Sequence, residues 1–318
     1  GNYAVAIGYR ALTAQNYNGS SYNVAVGTDA GLAVSEGIKN TLIGGLAGSS
    51  LEGGHKNVAV GYSALATEDG DGRNVAIGHE ALKTQDAGED AYNVAVGYNA
   101  GVSVSTGIKN TIIGGNAGDA INTGHSSVAI GYEALGSATI ANHNVAIGID
   151  AMNVNVAGDR NIAIGSEALK NMTSDTTLDT YNTAIGYNAG KFVTSGVRNT
   201  IMGGLAGDAL TTGGNNVAIG YAALTSEDTG SSNVAIGYEA LHTQDYNGHA
   251  YNTAVGFHAG VSVTTGRYNT IVGAEAGDAI HTGEYNTVMG YQALSAEDGN
   301  GKNVVMGAFA MQDLNAGA

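Results

Sequence analysis

One arrangement of polar and apolar positions recurs along the whole chain: a polar residue, three apolar residues, then Gly. Asn74-Val75-Ala76-Ile77-Gly78 is a typical copy. The Gly stands at 8, 27, 44, 61, 78, 97, 114, 131, 148, 165, 186, 203, 220, 237, 256, 273, 290 and 307, so there are 18 copies. Thirteen of the intervals are 17 residues, three are 19 and one is 21. A period of this length predicts a solenoid, in which each unit buries its apolar side only by stacking on its neighbours. Val and Ile before a Gly predict a short strand ending in a turn. Ala follows the Gly three residues later in every copy, as at Ala11, Ala81 and Ala310. After that Ala comes Leu or Met in some units and Gly in others, and both versions predict a second short strand. Asn precedes the Gly by four residues except at Ala4 and Ser127. It is expected to adopt a left-handed turn conformation or to form a ladder along the stack.

The three strand positions are all apolar. Val75 and Ile77 point one way and Ala76 the other, where a half-buried strand would alternate with polar residues. Cover on both faces is therefore expected. One rung can cover only one face, so the other calls for a second chain. Within the chain, a large middle residue goes with a small residue after Gly: Leu42 with Gly45, Ile112 with Gly115, Ile201 with Gly204. The expectation is that the two side chains share one volume.

Composition narrows the function. The 318 residues include 51 Gly and no Pro, Cys or Trp. Without Cys there are no disulfides and no thiolate metal sites. No run of 18 apolar residues is long enough to span a membrane as a helix. The repeat is already running at the first residues, which suggests one continuous domain, 1–318, cut from a longer fibre protein. A net charge of −16 argues against nucleic acid and anionic lipid as partners. Seven basic residues, among them Lys39, Arg73 and Arg160, stand directly before the repeat Asn, and Tyr holds that place in most other copies. They predict an exposed line of long side chains.

The repeat Asn-Val-Ala-Ile-Gly with Ala three later resembles the head repeat of YadA-type trimeric autotransporter adhesins. Asn182-Thr183-Ala184-Ile185-Gly186-Tyr187-Asn188-Ala189-Gly190 is similar to repeats of phage tail-fibre proteins. The resemblance covers nearly the whole chain. It implies an all-β, left-handed parallel β-roll of 18 rungs of about 17 residues, three chains wide, intertwined or side by side. The Val-Ala-Ile strand would then face the threefold axis, with Ala25, Ala59, Ala76, Ala95, Ala218 and Ala235 at the trimer interface. The adhesin repeat is shorter than 17 residues, so longer outer turns are expected here. The function implied is a non-enzymatic adhesive or structural fibre segment, extracellular, on a bacterial surface or a phage virion. Its partners would be itself, as a homotrimer, and a cell-surface glycan or matrix protein, without nucleic acid or membrane insertion. The alternatives are a solenoid polysaccharide depolymerase and an ice-binding solenoid. Thr41, Thr111 and their equivalents alternate with Val, which suits a partly buried position better than an ice plane.

Candidate contact residues lie in the long loops that follow Gly8, Gly78, Gly165 and Gly237. They are Gln15, Asn16, Tyr17, Gln85, Asp86, Gln244, Asp245 and Tyr246, polar groups suited to sugar-like surfaces. Acidic turns, Glu68-Asp69-Gly70-Asp71-Gly72, Glu227-Asp228 and Glu297-Asp298, are expected to be solvated. Asp69, Asp71 and Asp298 are candidates for Ca²⁺, although neither an EF-hand nor a Gly-Gly-x-Gly-x-Asp spacing is present. No other cofactor and no catalytic residue is expected, since no nucleophile elbow or His-x-x-x-His spacing occurs.

Overall fold

The computed structural model describes residues 3–69, 72–173, 179–295 and 301–312. The chain forms two compact units, centred on residues 1–159 and 160–318. Each is a parallel β-solenoid. Among the described residues the first holds nine three-residue strands, from β1 (Val5–Ile7) to β9 (Val145–Ile147). The second holds nine more, from β10 (Ile162–Ile164) to β18 (Val304–Met306). Within a unit each strand pairs in parallel with the next and in register: Ala25 beside Leu42, Leu42 beside Ala59, Ala184 beside Ile201. No helix occurs among the described residues.

The second strand expected after the Gly is absent there. The segment is a run of turns instead. Ala30 N–H donates to Gly27 O at 3.4 Å within the rung, and Gly31 N–H donates to Ala47 O at 2.9 Å in the next. The reason is backbone sign. The residue two after Gly has positive φ in rung after rung, as at Glu80 (56°) and Asn99 (53°), and so does the residue four after, Leu65 (52°) or Gly48 (55°). A chain that returns to φ > 0 at every second residue cannot extend as a strand. Leu in this region costs about 1–2 kcal/mol. It is held there because Leu65, Leu82, Leu135 and Leu224 fill the core completely buried.

The repeat Gly is required on two grounds. At Gly27 φ is 137°, and a Cβ would lie 2.6 Å from the carbonyl oxygen of Gly44 one rung on. The Asn takes no left-handed turn; that conformation falls on the residue before it, Tyr22 (52°) or Lys39 (61°). Asn builds a ladder, as expected, but by bonding backbone. Asn40 N–H donates to Asn23 Oδ1 and Asn57 N–H to Asn40 Oδ1, both at 2.9 Å. Asn23 Nδ2 reaches Gly37 O at 2.7 Å. The second unit repeats this from Asn182 on Asn161 to Asn303 on Asn286. Ser127 keeps the line intact, since its Oγ accepts from Asn144 N–H at 3.3 Å.

The expected sharing of volume between the middle strand residue and the residue after Gly does not hold. Leu42 is buried, whereas the neighbours of a Cβ on Gly45 would be the exposed ring of Tyr62 and a backbone oxygen. Leu42 instead competes with the residue four after Gly. A Cβ on Gly31 or Gly48 would stand 2.8 or 2.7 Å from its methyl groups. Close packing governs the exchange, but it lies three positions further along, at the fourth residue after Gly.

Candidate functional site: an apolar strand face and a row of long loops

Strand alternation decides which side chains are free. The middle residue points into the chain's own core. Ala25, Ala59, Ala76, Ala95, Ala218 and Ala235 are fully buried within a single chain. The trimer interface assigned to them is therefore corrected: a side chain already enclosed by its own rung has no surface to offer a partner. The outward residues are the two that flank it. Ala76 has no exposure and Ile77 has 38%. Ile43 and Ile113 in the first unit and Ile162, Met202 and Met289 in the second are open likewise. Each unit thus carries a row of Ile, Val or Met at the third strand position, added in register by every strand, beside a first position of Val, Ile or Thr. A face of this kind is unusual on a surface that meets only water.

Aromatic rows border the face. After the Gly, Tyr62, His79 and Tyr98 stack with centroids 5.4 and 5.2 Å apart, and Tyr221, Tyr238 and Phe257 stack at 5.4 Å. Before the Asn, Tyr251, Tyr268 and Tyr285 stack at 5.6 and 4.8 Å. The expected line of long side chains is present, and two of its arginines are tied down. Arg73 pairs with Asp90 and donates to Tyr92 Oη at 2.7 Å; Arg160 pairs with Asp179 beside Tyr181. Rings stacked along the axis spend their faces on one another and turn edges outward. That geometry does not suit a sugar, which packs on a ring face.

The long loops bring the contact candidates to equivalent places but divide them by burial. Gln85 and Gln244 are fully buried. Gln85 Oε1 accepts from Asn93 Nδ2 at 2.6 Å, and its Nε2 donates to Ser105 O at 3.1 Å. Gln244 bonds Asn252 and Thr264 O in the same way, and Gln15 bonds Asn23 and Ser35 O. These glutamines fasten the loop to the asparagine ladder, so their proposed contact role is corrected to a structural one. Asn16, Asp86 and Asp245 are exposed, and their backbone N–H groups donate to the Ser35, Ser105 and Thr264 carbonyls. Tyr17 and Tyr246 are half-buried, and Tyr246 Oη accepts from Arg267 Nη1 at 2.9 Å.

Two of the acidic turns are not solvated. Glu68 and Glu227 are fully buried. Glu68 Oε2 accepts from Asn74 Nδ2 at 3.1 Å. Glu227 Oε1 accepts from Gly230 N–H at 2.7 Å and Oε2 from Tyr246 N–H at 3.4 Å. Burial pushes the Glu227 carboxyl up to about 7, the two N–H donors hold it back, and Asp245 and Asp228 push further. Carboxylate oxygens of these three residues lie within 4.8 Å of one another. Backbone N–H donors aimed at Glu227 satisfy a carboxyl that belongs to the fold. Asp69 is exposed. Asp71 and Asp298 lie outside the described residues.

No protein family, curated protein or solved structure matches this chain. No helix among the described residues is long and apolar enough to cross a membrane. The outer strand residues were missed as interface candidates because Ala and Ile are both apolar and either could face inward. The buried glutamates had a signal: Glu68 and Glu227 stand six residues before a repeat Asn, close to where Gln stands in other rungs.

Proposed function

We propose that the chain is a non-enzymatic segment of an extracellular fibre, a surface adhesin head or phage tail-fibre shaft, that associates as a homotrimer of left-handed β-rolls. The observation that carries this reading is the apolar strand face, whose outer Val, Ile and Met residues need cover that the single chain does not supply. The repeat resemblance supports three copies around that face. The exposed loop tips at Asn16, Asp86 and Asp245 would meet a cell-surface glycan or matrix protein, and their recurrence would give avidity. Light scattering on the purified chain tests the assembly. The expected mass is three times 31.8 kDa, and a stable monomer at micromolar concentration overturns the reading. Cutting the long loops back to the 17-residue spacing tests contact. The trimer should persist while binding to host surfaces falls; undiminished binding would make the segment a spacer only.

A further inference from the structure

We propose that Glu227, Asp228 and Asp245 form a proton-gated latch that fastens the loop 242–250 to the rung before it. Three observations converge on the cluster. The Glu227 carboxyl is fully buried and takes its hydrogen bonds from both sides of the joint, Gly230 N–H on its own turn and Tyr246 N–H on the loop. Asp245, on the same loop, brings a second carboxylate to within 4.8 Å, and Asp228 brings a third. Two buried atoms beside the cluster in sequence have no hydrogen-bond partner: Asp228 Oδ1, an acceptor, and Asn233 Nδ2, a donor on a fully buried residue.

The first unit supplies a contrast. There Asn74 Nδ2 donates to Glu68 Oε2. Asn233 stands in the same relation to Glu227 in sequence, yet Glu227 turns to Gly230 and Tyr246 and the Asn233 amide is left over. With all three carboxyls ionised, the loop is repelled by the turn that it must lie against. A single proton on Glu227 removes one charge from the cluster and adds an O–H donor for a neighbouring carboxylate.

The other charged and titratable groups near the joint do not offset this. Tyr246 is already paired through its phenol with Arg267, and Arg267 with Glu284 at 2.7 Å. His249 bonds Ser232 Oγ at 2.9 Å. The rung before contributes Thr211 N–H to Asp228 O and Asn216 Nδ2 to Gly230 O, both uncharged donors. The Glu227 carboxyl, pushed up to about 7 by burial, keeps its proton below that pH in the closed latch and returns to its ordinary value of 4.5 when the loop opens. The closed state binds the extra proton, so acid closes the latch and alkali loosens it. Between about 4.5 and about 7 the opening constant rises about tenfold per pH unit, and it levels off above. This holds whether or not the loop touches a ligand.

Hydrogen–deuterium exchange of the whole chain, corrected for intrinsic rate, reads the loop directly. Protection of the 242–250 peptide is expected to fall as pH rises from 5 toward 7. Glu227→Gln, which keeps a carbonyl acceptor for only one of the two N–H groups and cannot titrate, should remove the pH dependence of protection. Asp245→Asn removes one neighbouring charge and should move the transition to lower pH. A wild-type loop that loosens on acidification, or a Glu227→Gln profile that follows the wild type, overturns the latch. Far-UV circular dichroism on both variants separates a lost latch from a lost fold.

Discussion

At the scale of single residues, the asparagines do the most consistent work. Asn57 accepts from Asn74 N–H at 2.9 Å and donates its own N–H to Asn40 Oδ1. Replacing it by Ala leaves the Asn74 N–H buried and unpaired, at a cost of about 1–3 kcal/mol. The expected outcome for Asn57→Ala is a lower urea midpoint without a change in circular dichroism; an unchanged midpoint would mean that water replaces the bond. Gln244→Ala belongs to the same class. It should destabilise the loop by a similar amount, where a ligand-contact role would leave stability alone. The asparagine ladder was legible in the sequence because Asn recurs at one place in the period. The role of Gln15, Gln85 and Gln244 was not, since a polar residue in a long loop reads as exposed until the neighbouring rung is seen to enclose it.

Strands set the next scale. Alternation places Ala76 and Ile77 on opposite sides of one three-residue strand, so the same substitution has opposite consequences at the two. Ala76→Asp puts an unpaired charge into the core and should unfold the surrounding rungs. Ile77→Asp leaves a charge on the open face. Circular dichroism should be unchanged while the mass from light scattering drops toward that of one chain. A variant of Ile77 that still associates fully would remove the strand face from the interface. The sequence showed that both faces of the strand carry apolar residues, which motivates the proposed partner. It did not show which face lies in the chain's own core. Leu42, wedged between Gly31 and Gly48, shows that a large middle residue takes the space beside a Gly four positions after the repeat Gly.

For the whole molecule, identical rungs give additive, nearest-neighbour stability. Deleting one 17-residue rung, residues 111–127, joins Asn110 to Val128 and restores the Asn-to-Val junction of the repeat. The shortened chain should fold, with a slightly smaller dependence of stability on urea because less surface is exposed on unfolding. An unfolded product would mean that rungs are not interchangeable. The sequence alone determined the all-β class, the period, the parallel stacking and the ladder. A rung repeated every 17 residues meets the same neighbours each time, so any interaction that works once is copied at every level. The tertiary structure decided the direction of each side chain, the turns in place of a second strand, and the burial of Glu68 and Glu227. Backbone sign at Leu65 or Glu80 is not written in residue type. The enclosure of Glu227 depends on Tyr246, nineteen residues later, and on how the loop of the following rung lies over it.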